Sequence, residues 1–180
     1  MDSKRADLIV KELFMDMKAD LKSQKEIGMA FHVFFDDGYW RFEPEILSKE
    51  QAYGLLNIFL TDPDTKTIAY SVTSDCNMRS PVTGEIIGEQ LMAALVSPDG
   101  KVDVNMQPYK RLPNGKIQYE KSMLADGISF GGDATALYQP VIGVPEEIKK
   151  QLVKVVAAQA AQNKVPYKSY TKEDDGPTAH

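Results

Sequence analysis

Four times in this chain an Asp-Gly or Asn-Gly pair stands between two apolar runs: Asp37-Gly38, Asp99-Gly100, Asn114-Gly115 and Asp126-Gly127. These residue types accept the positive φ that a two-residue hairpin turn imposes on its central positions, which most side chains resist. The pattern predicts an antiparallel sheet assembled from local hairpins. It disfavours a parallel sheet, whose strands need long crossover connections.

The segments between the turns fill in the rest. Val10, Leu13, Phe14, Met17 and Leu21 form one helical stripe within a charged stretch, predicting a helix from about Ser3 to Glu26 that stops before Gly28. The aromatic run Met29 to Phe35, the turn Asp36-Asp37-Gly38 and Tyr39 to Phe42 read as a first hairpin. Pro44 ends it, and Ser48 with Gln51 in capping-box position opens a second helix, buried through Ala52, Leu55, Leu56 and Phe59 and closed by Asp62-Pro63-Asp64. Thr67 to Ser74 reads as a strand, Asp75 to about Glu85 as a loop. Leu91 to Val96, then Val102, Val104, Met106 and Pro108 alternating with polar neighbours, form a hairpin with one dry and one wet face. Pro113-Asn114-Gly115 turns the chain into Ile117 to Ser122. A long loop from Ala125 to Ala136, an edge strand from Leu137 to Val144 limited by Pro140, and a last helix from Pro145 complete the series. Because helices bracket consecutive antiparallel strands, the expected fold class is α+β, with N-terminal, middle and C-terminal helices packed on one face of the sheet. Residues 1–163 form a single domain, and 164–180 is expected to be a flexible C-terminal tail without periodicity.

From about Met29 to Lys121 this order resembles that of small uncharacterised bacterial or phage-borne proteins with a helix, an Asp-Gly hairpin, a second helix and a three-stranded meander. The residues carrying the resemblance are Phe34-Phe35-Asp36-Asp37-Gly38, the helix after Ser48, and the Ala69 to Ser74 strand leading to Asp75. It implies the fold and no activity.

Composition narrows the function classes. A single cysteine, Cys76, cannot form an internal disulfide, and His32 and His180 are the only histidines, so no zinc ligand set is present and no metal or cofactor is expected. A reducing, cytoplasmic setting follows, as does the absence of a membrane partner, since no run of 18 apolar residues occurs. The net charge of −5 argues against nucleic acid, which requires a basic face. That excess is local: from Asp36 to Asp64 seven acids stand against Arg41 and Lys49, while 19 acids and 19 bases balance elsewhere. Such a window is either a docking face for a basic partner or ordinary solvated surface, and acids at turns and helix ends have local uses.

Four constellations compete with structural explanations. His32, Asp75 and Cys76 are the residue types of a thiol nucleophile, its base and an orienting carboxylate. Against this, a histidine alternating with Phe31 and Val33 and a lone cysteine are common core residues. Phe130-Gly131-Gly132-Asp133 lacks the following helix and nearby cation of a phosphate loop, and reads as a connector. The carboxylate pairs Asp36-Asp37 and Asp62/Asp64 flank turns. In Tyr39-Trp40-Arg41-Phe42 alternate residues face opposite ways, so one of the pairs Tyr39/Arg41 and Trp40/Phe42 is expected outside, and these types are enriched at binding hot spots. The expectation is a non-enzymatic protein-protein interaction or regulatory module contacting another protein or a second copy through Asp36, Asp37, Tyr39, Trp40 and Arg41. The alternatives are a thiol-dependent hydrolase or transferase using Cys76 with His32, and a small-molecule binding module with a pocket between sheet and helices.

Overall fold

The computed structural model describes residues 2–23, 27–42, 49–61, 66–125, 137–138, 145–147, 150–151 and 167–169. Helix α1 spans Ser3–Ser23. Asp2 caps it: its carboxylate accepts the Arg5 N–H at 2.8 Å and its carbonyl accepts that of Ala6. Strands β1 (Ala30–Phe34) and β2 (Gly38–Phe42) make the first hairpin, and α2 covers Lys49–Thr61. Then follow β3 (Ala69–Arg79), β4 (Ile86–Val96), β5 (Val102–Arg111), β6 (Ile117–Tyr119), β7 (Met123–Leu124) and β8 (Tyr167–Ser169). All pair antiparallel in one eight-stranded sheet ordered β6-β5-β4-β3-β1-β2-β8, with β7 beside β5. The protein is therefore mixed α+β.

The two described helices lie on opposite faces of the sheet, not on one. Ile9, Leu13, Phe14, Met17 and Leu21 of α1 pack against Phe34, Tyr39, Leu91, Ala93, Leu95 and Tyr109. Leu56 and Phe59 of α2 pack on the other side, against Phe31, Val33, Phe42, Tyr70 and Val96. The reason lies in β1, whose five residues are all buried. A strand apolar in consecutive positions must be covered on both sides, and the hairpin's density in aromatics supplies both faces at once. On the α2 side Trp40 meets Phe59 edge-on at 5.0 Å between ring centroids, and Phe31 meets Tyr53 at 5.2 Å. The expected wet face of β5 is partly covered too, with Gln107 buried and donating to the Glu120 carbonyl at 2.8 Å.

The four turn signals separate. Gly100 and Gly115 take φ of 85° and 78°, the left-handed region for which glycine is suited. Gly38 is instead the first residue of β2, with its carbonyl accepting the Phe35 N–H across an Asp36-Asp37 loop. Asp126-Gly127 lies outside the described residues.

Three other expectations change. The predicted loop after Ser74 is strand: β3 continues to Arg79, pairing Asp75 with Leu91, Cys76 with Gln90 and Met78 with Gly88. Its residue types look loop-like because this half of the strand runs past the apolar core, yet its backbone groups are still satisfied across the ladder. The tight turn lies at Ser80 to Glu85, where the Ser80 hydroxyl accepts the Val82 and Thr83 N–H groups. In the segment expected to be an edge strand, Leu137 and Tyr138 form a helical turn, with Tyr138 donating to the Val96 carbonyl at 2.8 Å. Within the expected tail, Tyr167–Ser169 is β8, which pairs Gly38 with Ser169 and Trp40 with Tyr167. Most of the predicted C-terminal helix, and Phe130-Gly131-Gly132-Asp133 and Asp62/Asp64 entirely, fall outside the described residues.

Candidate functional site

Strand alternation decides the thiol constellation. His32 pairs with Ser71, and Asp75, four residues along β3, shares that face with them. Cys76 points to the opposite face, so the sheet itself stands between thiol and imidazole. His32 is 1 % exposed, its Nδ1 is 3.3 Å from the Ser71 hydroxyl, and its ring stacks on Phe34 at 6.2 Å. Cys76 lies against the Gln90 carbonyl at 3.6 Å, and burial pushes its thiol pKa up, with the Asp75 carboxylate adding to the rise. A raised pKa is the reverse of what a nucleophilic thiolate needs. The two side chains are therefore not brought together, and nothing in this geometry supports a Cys76/His32 pair.

The first hairpin is largely enclosed. With both faces covered and β8 along its edge, neither aromatic pair is left outside. Tyr39 is 1 % exposed beneath α1, donating from its hydroxyl to Asp16 at 2.6 Å. Arg41 pairs with Asp20, one helical turn further on, at 2.5 Å. Asp16 and Asp20 thus fasten α1 to β2, and burial with the Asp16 bond raises the Tyr39 pKa strongly. Trp40 packs in the α2 core. Of the five expected contact residues only Asp36 and Asp37 are exposed.

Sequence reading missed a polar network at the far end of the α1 face. The Tyr109 hydroxyl, on β5, stands 3.0 Å from both Asp75 carboxylate oxygens on β3 and 3.2 Å from Glu89 Oε1 on β4. One phenolic proton therefore serves two carboxylates. Arg111 compensates, donating its Nε to Glu89 at 3.3 Å and its Nη2 to the Tyr109 oxygen at 3.3 Å. Burial is the largest effect on Asp75 and raises its pKa, outweighing the Tyr109 hydrogen bond and the Arg111 charge. Burial and then the Asp75 bond push the Tyr109 phenol up as well, so it stays protonated.

Arg111 also forms one wall of an open groove of about 520 Å³ between the last turn of α1 and the β5–β6 hairpin. Leu21, Lys22 and Ser23 line it from the helix, Arg111, Gly115, Lys116, Ile117 and Tyr119 from the hairpin. Among the described residues the lining holds three cations and no acid. Lys22 and Lys116 have no ion pair or hydrogen bond from their ammonium groups among the described residues. The Tyr119 hydroxyl oxygen is shielded from solvent without a hydrogen-bond partner there, and Lys18 lies 5.0 Å above its ring. The available signals, Lys22 at a helix C-terminus and Lys116 beside Asn114-Gly115, read in the sequence as ordinary dipole compensation and turn solvation.

Among the described residues no group of three or more His, Cys, Asp or Glu is placed to hold a metal, and no helix is long and apolar enough to cross a membrane. No family model matches the chain, and no curated protein or solved structure does so either.

Proposed function

We propose that the protein is a binding module for a small anionic molecule held in the groove between α1 and the β5–β6 hairpin. The observation that carries this reading is the lining itself: in a chain of net charge −5, Lys22, Arg111 and Lys116 line one concavity with no acid among the described lining residues. Its volume is in the range of small-molecule sites, and Leu21, Ile117 and the Tyr119 ring supply an apolar floor. Arg111 is preorganised by Glu89 and Tyr109, which reduces the entropy lost on binding. The test is a thermal-shift panel of small anions, cations and neutral compounds on the wild type and a Lys22→Glu/Lys116→Glu variant. An anion at 100 times its Kd adds about 2.7 kcal/mol to stability, and the variant loses that shift. A panel without any shift, or a shift the variant keeps, overturns the reading.

A second reading, contact with another protein or a second copy in a reducing cytoplasm, is favoured by the tip of the β3–β4 hairpin. There Val82 is 90 % and Ile87 64 % exposed. Light scattering on wild type and a Val82→Ser/Ile87→Ser variant tests it: a dimeric mass reduced in the variant supports self-association through the tip, and a monomeric wild type removes it.

A further inference from the structure

We infer that the groove's ligand is a phosphate monoester of a small soluble molecule, an inference that rests on the groove being the binding site. Charge and shape both favour such a ligand. Of the three lining cations, Arg111 is already offset by Glu89 at 3.3 Å. Among the described residues Lys22 and Lys116 remain in the lining, with Lys18 beside the Tyr119 ring, a local charge between +2 and +3. The C-terminal end of α1 contributes roughly half a negative charge beside Lys22, which lowers this somewhat. A phosphate monoester carries about −1.5 to −2 near neutral pH and offsets most of that charge, whereas a monocarboxylate, at about −1, leaves more than half of a charge unmatched.

The donors match as well. Lys22, Lys116 and Arg111 line one space, and two ammonium groups with a guanidinium offer more N–H donors than two carboxylate oxygens can use, which suits the three terminal oxygens of a phosphoryl group. The groove, at about 520 Å³, is far larger than an inorganic phosphate ion, and Leu21 and Ile117 stand among its lining residues. The organic part of the ester therefore has an apolar surface to cover. No bond is made or broken in this proposal.

Calorimetric titration of the full chain at constant ionic strength, pH 7.5, with phenyl phosphate, inorganic phosphate and benzoate provides the test. Phenyl phosphate is expected to bind at least tenfold more tightly than benzoate and more tightly than inorganic phosphate. Lys22→Gln and Lys116→Gln are each expected to weaken it threefold or more while leaving the melting temperature in place. Because both lysines are exposed, these variants keep the fold. Benzoate binding as tightly as phenyl phosphate, with the same lysine dependence, overturns the monoester and leaves the groove reading standing. No binding of any of the three, or binding indifferent to both lysines, overturns the monoester and the groove together. Retention on phosphatidic-acid vesicles without binding of phenyl phosphate overturns the soluble source.

Discussion

Tyr39 shows how far a residue's role depends on what covers it. By type it suits a contact surface; by position it is a core residue with its hydroxyl on Asp16. Tyr39→Ala is expected to cost about 3–5 kcal/mol, as truncation of a buried aromatic does, in denaturant titrations. A surface residue would change stability by less than about 0.5 kcal/mol. Cys76, with its thiol pKa raised by burial, should react with a thiol reagent more slowly than free cysteine near neutral pH. Asp75 gives a pH signature. Its carboxyl pKa is raised in the folded state, so between the unfolded value, about 3.9, and the folded one the native protein holds more protons than the unfolded chain. Its contribution to stability is therefore full below that unfolded value and is lost as pH rises through the folded one. Asp75→Asn removes this dependence while retaining an acceptor for Tyr109. The melting temperature of the variant should gain on that of the wild type as pH rises from 3.5 to 7, and a constant difference would contradict the assignment.

At the level of elements, the turn chemistry was legible where the turn determined the pairing. Gly100 and Gly115 take the φ their dipeptides implied. Asp37-Gly38 had the same signature, yet there the register of β1 on β2 places Gly38 in the strand. The helical stripe of α1 was legible because its period is local. The second half of β3 was not, since Asp75, Cys76 and Asn77 are strand residues only by virtue of β4 beside them. The Asp75–Tyr109–Glu89–Arg111 network was hidden for the same reason: its members come from three strands, and no spacing in sequence announces it. Two glycines test the backbone account against each other. Gly54, within α2 with open space where a Cβ would stand, should tolerate Ala with a gain of about 0.5–1 kcal/mol. Gly115 has equal room but a φ of 78°, so Gly115→Ala should cost about 1 kcal/mol or more. Denaturant midpoints of the two variants should move in opposite directions.

For the whole molecule, the consequence of the fold is a division of labour between the two ends of the sheet. The β1–β2 end is sandwiched between α1 and α2 and closed along its edge by β8, which leaves its aromatics to the core. At the other end β5 and β6 extend beside the last turn of α1, and the charged residues that cannot be buried converge there on the groove. The acidic excess left a docking face for a basic partner and ordinary solvated surface both open, while the groove at this end of the described structure is lined by cations, on which the proposed anion site rests. Chemical-shift mapping of backbone amides during titration with phenyl phosphate tests this most directly. The account predicts that the largest changes cluster at Leu21 to Ser23 and at Arg111 to Tyr119; changes centred on Asp36 to Arg41, or spread evenly over the sheet, would contradict it.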